Sequence, residues 1–193
     1  MLIENFYVYG LGDSLKAAKY PMAVNTSDCS YLYTDRIKQL GSARIGSGHD
    51  NFLNGIIVQF DLTFSQKAWV ELQRYHFIDF VSSQSTMHRI DRFDLDSQMN
   101  EYVDEAIKNR LQELVEDYRA DRSKENFLKV IYNIPSGFQL TARMTTNYRQ
   151  LKTIYHQRKT HRLPEWREFC KWIEDLPYME EFLGLGEANA DEV

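Results

Sequence analysis

Cysteine is scarce. Cys29 and Cys170 are the only two, and they stand far apart. Without a short Cys spacing the chain is neither a disulfide scaffold nor a thiolate zinc module, and two reduced thiols in a cytoplasmic protein are expected. Only 4 prolines occur, and no Pro/Gly/Ser-rich linker or repeat divides the 193 residues. A single domain over 1–193 is therefore expected, with a frayed acidic tail at 186–193. No apolar run approaches the roughly 20 residues that span a bilayer. Met1-Leu2-Ile3-Glu4-Asn5 lacks the basic-then-apolar pattern of a signal peptide, so none is expected. Basic residues are outnumbered, giving a net charge of -5. That excludes non-specific nucleic-acid binding by the whole molecule and leaves room only for a local basic patch. The Gly-rich stretch Gly41–Gly48 lacks Gly-Lys-Ser/Thr and follows no strand, so it is no phosphate loop. His156 and His161 have no thiol or carboxylate pair beside them, and no metal site is expected.

What remains is a core-forming composition, 43% hydrophobic and 13% aromatic, which rules against disorder. Phe6–Tyr9 reads as a strand closed by Gly10-Leu11-Gly12, and Asp13 or Ser14 is placed to cap a short helix at Leu15–Lys19. Thr34-Asp35 opens a helix through Ile37 and Leu40, ended by Gly41. In the run Gly55–Phe64, Val58, Phe60, Leu62 and Phe64 alternate with Gln59, Asp61 and Thr63, the pattern of a half-buried strand. Ser65 caps a helix over Gln66–Tyr75 with Ala68, Trp69 and Leu72 inward, and Phe77–Val81 returns as a strand. Apolar residues at three- and four-residue steps, from Met99 to Tyr118, predict the longest helix over 97–119. Asn126–Ile131 is a short helix, Phe138–Met144 a strand, and Pro164 and Pro177 each start a helix. The fold class is α/β (α+β), with a mixed or antiparallel twisted sheet flanked by helices.

The chain is organised around Thr145–Arg158, which runs on to Pro164-Glu165-Trp166. Thr and Asn at its head are capping residues. Asn147, Leu151, Ile154 and Arg158 share one stripe at 3.6 residues per turn. Burying an unpaired Arg is costly, so Arg158 either snorkels to water or meets an anion. Arg149, Lys152 and His156 form a second stripe, which reads as a solvated basic side. Local chemistry alone makes His49 a loop histidine and Arg74 a cation covering a helix C-terminus.

The spacing of these residues resembles the flavin-dependent thymidylate synthases. Asn147-x-Arg149, a helical run, Arg158 and then Pro164-Glu165-Trp166 stand where that family has Asn-Ala-Arg, a helix, Arg and Gln-Trp-Glu. Gly48-His49-Asp50, a strand and Arg74-Tyr75-His76 stand where it has Gly-His-Glu, a strand and Arg-His-Arg. The likeness covers 46–89 and 138–172. The triplet's middle His and last Arg are replaced, and the family's Ser-x-Arg is represented only by Ser85 with Met87, or with Arg89 after an insertion.

The resemblance implies FAD held by His49, Arg74, His76, Asn147 and Arg149. It implies a pyrimidine nucleotide held by Arg74, Ser85 and Arg158, with Arg158 stabilising negative charge on the uracil ring. NADPH and methylenetetrahydrofolate are the implied co-substrates, and a homo-oligomer, a tetramer in the family, shares the sites. The replaced positions fit a divergent, phage-like member. They also fit a protein that kept the fold and a nucleotide or flavin pocket without the reaction. A third reading is an RNA-binding edge made by Arg158, Lys159, His161, Arg162 and Arg167 with Tyr155 and Trp166.

Overall fold

A computed structural model describes residues 1–185, so the expected frayed tail at 186–193 lies outside the described residues. Strands β1 (Leu2–Tyr9), β2 (Ile57–Ser65), β3 (Ile78–Ser83) and β4 (Gln139–Asn147) form one antiparallel sheet in the order β1-β2-β4-β3. This is the helix-flanked α+β architecture expected from the sequence. The alternation read in β2 is realised in full, with Val58, Phe60, Leu62 and Phe64 each 0% exposed. Register between β2 and β4 is fixed by side chains that face each other. Thr63 and Thr141 share a 2.7 Å hydroxyl hydrogen bond, and Arg143 Nη1 lies 3.2 Å from Asp61 Oδ1. Contacts gather into two compact units. One comprises residues 1–4, 61–75 and 80–144, the other residues 5–60, 76–79 and those from 145 on.

In the first unit, Ser65 Oγ accepts from Ala68 N and starts α3 (Gln66–Leu72), as its position predicts. Trp69 packs edge-on to Phe64 and donates its indole N–H to the Leu140 carbonyl at 3.1 Å. The helix stops three residues before the expected end. Arg74 N and Tyr75 N bond back three residues, to Glu71 and Leu72, so the chain tightens into a turn, and Phe77 takes a left-handed φ of 61° before β3 begins. After α4 (Thr86–Arg89), the predicted helix over 97–119 is found only as α5 (Glu105–Ala120). Residues 98–100 instead run against the β4 approach. Met99 bridges Phe138, Gln139 N donates to Gln98 O, and Asn100 N to Gly137 O. Asp104 Oδ1 accepts from Ala106 N at 2.8 Å and opens the true helix. The three-four pattern of 99–103 is thus produced by an irregular segment whose Met99 still joins the core of Leu111, Leu114, Val115 and Phe138. Helix α6 (Lys124–Tyr132) completes this unit, capped by Ser123.

In the second unit, α1 (Leu11–Ala17) begins four residues before the expected Leu15. Its N-cap is Gly10 at φ 71°, a conformation that a Cβ disfavours, and a Cβ there would also meet the Gly55 carbonyl at 2.6 Å. Neither Asp13 nor Ser14 caps the helix; Asp13 lies in its first turn and Ser14 is buried. Thr34 Oγ1 accepts from Ile37 N and opens α2 (Asp35–Ser42) as read. Gly41 does not end that helix. It lies inside it, where the Phe182 ring occupies the space a Cβ would need. Helices α7 (Tyr148–Arg158), α8 (Pro164–Glu174) and α9 (Met179–Leu183) close the unit. Phe60, Phe169 and Trp172 pack together as its aromatic centre.

Candidate functional site

The central helix hangs from the end of β4. Asn147 leaves the strand with extended backbone, and its Oδ1 accepts from Gln150 N at 2.8 Å, an N-cap of the kind the sequence suggests. Tyr148 N donates to the Ile56 carbonyl at 3.0 Å, and its hydroxyl to the Pro177 carbonyl at 3.1 Å. Burial pushes the Tyr148 phenol well above its ordinary range, so it stays a neutral donor. Leu151 and Ile154 are wholly buried and Arg158 is 8% exposed, so the stripe from Asn147 to Arg158 faces inward.

The second stripe is a correction to the sequence reading. His156 is exposed, but Lys152 is 2% exposed and is no part of a solvated side. Its Nζ donates to the carbonyls of Gly41 and Ala43, each at 2.6 Å, and lies 3.4 Å from Asp50 Oδ2. Arg149, one turn earlier on the same face, places Nε 3.3 Å from Asp50 Oδ1. The Asp50 carboxylate is 0% exposed and sits between the two cations. Burial lowers the Lys152 pKa from its ordinary value, and Asp50 opposes that shift. The result is a charged staple that pins the Gly-rich loop, and the His49 that precedes Asp50, to the head of α7.

Of the residues singled out in the sequence, Arg149 and the His49 loop are thus joined through Asp50, at the end of α7 that Asn147 caps. His49 is exposed and lines a cavity with Arg36 and Lys19. Arg158 stands eleven residues along the helix from Asn147, about 16 Å at 1.5 Å per residue. There its guanidinium lies 4.7 Å over the ring of Trp166, the first-turn residue of α8 behind Pro164. His76 is exposed in the turn before β3. Arg74 and Ser85 belong to the other compact unit. Arg74 is exposed on the turn after α3 instead of closing the helix. Ser85 is half-buried at the N-cap of α4, where its carbonyl, not its hydroxyl, accepts from His88 N and Arg89 N. Asp50 and Lys152 are the residues the sequence reading passed over. The signal was the shared face of Arg149 and Lys152, together with a carboxylate directly after Gly48-His49.

Around the basic edge, Tyr155 donates its hydroxyl to Glu174 Oε1 at 2.7 Å. Arg167 donates to the carbonyls of His161 and Arg162, at 2.6 and 3.0 Å. A cleft of about 570 Å³ there is lined by Lys159, Arg167 and Lys171, but also by Glu168 and Glu174. That mixture of signs disfavours a polyanion. Among the described residues no group of three or more His, Cys, Asp or Glu side chains is placed to hold a metal ion, and no helix is long and apolar enough to cross a membrane.

No family model and no curated protein matches the sequence. Solved structures do match its fold. Thymidylate synthase X from Helicobacter pylori, with FAD and dUMP, is 15% identical and aligns over 95% of this chain and 97% of its own, with a TM-score of 0.72. A second structure of the flavin-dependent enzyme from the same organism, also with FAD and dUMP, gives 15%, 95%, 97% and 0.71. The UMP/dUMP methylase PolB from Streptomyces cacaoi, bound with 5-Br dUMP, is 16% identical over 94% of this chain and 93% of its own, with a TM-score of 0.64. The chain has the fold of the flavin-dependent thymidylate synthases along nearly its whole length.

Proposed function

We propose that the protein is a flavin-dependent enzyme that methylates dUMP to dTMP. Methylenetetrahydrofolate supplies the carbon, and FAD, reduced by NADPH, supplies the hydride. The observation that carries the reading is the Arg149–Asp50 ion pair. It ties the two stretches that resemble the family, about a hundred residues apart in sequence, into one place beside His49.

The donor set suits a flavin. Arg149 keeps part of its guanidinium open, its side chain being 29% exposed, and Asn147 offers an amide whose oxygen alone is used by the cap. Both are N–H donors for the carbonyl and nitrogen edge of an isoalloxazine ring, and His49 with His76 adds imidazoles. Bound reduced flavin supplies the hydride; the protein supplies position and charge. Lys152 and Asp50 hold Arg149 and the His49 loop at fixed distance, so the cofactor's binding groups are in place before it arrives. Arg158 stabilises the negative charge that builds on the uracil ring. A guanidinium clamped over Trp166 and shielded from water serves this role without reorganising. Arg74 pairs with a phosphate, and the Ser85 hydroxyl, unused as a cap, bonds the nucleotide. No protein nucleophile is assigned. Cys170 is buried, and its thiol is pushed up to about 12 chiefly by that burial.

Asn147 and Arg158 are too far apart along one helix to meet around one ring. Sites shared between copies of the chain resolve this, and the reading includes a homo-oligomer, a tetramer by analogy. The exposed Leu2, Phe6, Tyr7 and Tyr9 of the edge strand β1 supply apolar surface for such an assembly. Two free cysteines suit a reducing cytoplasm.

The test is turnover. Protein given FAD, NADPH, methylenetetrahydrofolate and dUMP should form dTMP, and Arg158→Met should cut the rate by roughly 10²–10³, the usual loss of one oxyanion-type donor. Tyr75 and His76, where the family has His and Arg, favour a second reading as a non-catalytic flavin or nucleotide binder. Tight dUMP binding with no dTMP formed would select it over the first.

A further inference from the structure

We infer that the hollow between the segment that follows α1 and helix α2 is a binding site for an aromatic anion, overlapping the flavin and nucleotide roles assigned above only at His49. It has a volume of about 490 Å³, within the range of small-molecule sites. Ala18, Pro21, Met22, Ile37 and Leu40 give it apolar walls. Lys19, Arg36 and His49 also line it, and among the described residues no carboxylate does. Apolar walls with cations at their margin suit a ligand with a flat apolar body and an acidic group.

The two permanent cations have different tasks. Lys19 Nζ spends its three donors on Ser30 O at 2.9 Å, Ser30 Oγ at 2.7 Å and Leu32 O at 2.8 Å. All three acceptors are neutral, so Lys19 contributes positive charge rather than a new hydrogen bond. Among the described residues Arg36 makes a single weak bond, Nη1 to Gln39 Oε1 at 3.4 Å. The rest of its fork is available for bidentate contact with a carboxylate, sulfonate or phosphate. A second hollow of about 470 Å³ shares Lys19 and Met22 but is lined by Asp28 as well. The carboxylate there directs an anion to the first hollow.

The inference shares only His49 with the proposed function, and the two can fail separately. The probe is 8-anilinonaphthalene-1-sulfonate, titrated by fluorescence into protein free of added FAD, against the uncharged N-phenyl-1-naphthylamine. The sulfonate should bind saturably at one site and more tightly than the uncharged ring. Arg36→Gln, at an exposed position, should weaken it roughly three- to ten-fold, the range for one partly solvated charge-assisted contact. Ala18→Trp, which fills the hollow, should remove saturable binding while the thermal unfolding curve is kept. Equal affinity for charged and uncharged probes, or sulfonate binding unchanged in Arg36→Gln, would overturn the inference. FAD retention, measured on the same samples and on Ala18→Trp, separates the two: flavin that stays with Ala18→Trp sits outside the hollow, and protein that binds the sulfonate but not FAD upholds this inference and removes the proposed function.

Discussion

Replacing Lys152 by Met keeps the length of the side chain and removes its charge. The magnitude follows from what is left behind. Lys152 is 2% exposed, and burial outweighs Asp50 in its own ionisation, so losing the ammonium itself costs little. The Gly41 and Ala43 carbonyls, however, lose donors at 2.6 Å, and the wholly buried Asp50 keeps only Arg149. Each buried polar group stranded this way costs about 1–3 kcal/mol. Lys152→Met should therefore destabilise by about 3 kcal/mol, a fall of roughly 1–2 M in the urea midpoint at ordinary slopes. Adding Asp50→Asn should recover part of the loss, with a coupling of about 1–2 kcal/mol in the double-mutant cycle. The pH dependence has a definite sign. The native pKa of Lys152 lies below its ordinary 10.5, so between the two values the unfolded chain binds more protons and stability climbs with pH. That climb, followed below pH 10, should vanish in Lys152→Met. A midpoint within about 0.3 M of the parent, with additive single changes, would refute the staple.

Other outcomes follow from the same coordinates. Gly41→Ala should destabilise by about 1–3 kcal/mol despite the better helix propensity of Ala, because its Cβ enters the Phe182 ring; Phe182→Leu should relieve it, as urea midpoints would show. Cys29 should react with a thiol reagent in the native protein, whereas Cys170, its thiol pushed up to about 12, should react only after denaturation. Tyr33, pushed up to about 12 mainly by burial, and Tyr148 and Tyr155, raised by burial too, hold protons that the unfolded chain releases near pH 10; stability should fall as pH rises past 10, and less steeply in Tyr148→Phe.

Local chemistry made much of the fold legible. Thr34 and Ser65 announced α2 and α3 because a hydroxyl before an apolar-periodic run has few other uses there. The alternation of β2 and the proline at the start of α8 were equally direct. What failed were features set by distant partners. Gly41 looks like a helix stop until the Phe182 ring is placed against it. Met99 looks helical until its bridge to Phe138 is seen. Lys152 looks solvated until three oxygens from residues 41–50 close around it. The residues of the candidate site were chosen by their spacing, whereas the carboxylate that joins two of their stretches has no such mark, since no local pattern signals a buried ion pair across a hundred residues.

The central claim is that the head of α7 and the His49 loop together hold a flavin. Mixing the protein with FAD and dUMP, removing free ligand by gel filtration and recording the visible spectrum tests it directly. The account predicts that flavin absorbance travels with the protein, and that Arg149→Met and Asn147→Ala each release it. A colourless protein that retains no flavin with dUMP present would contradict it.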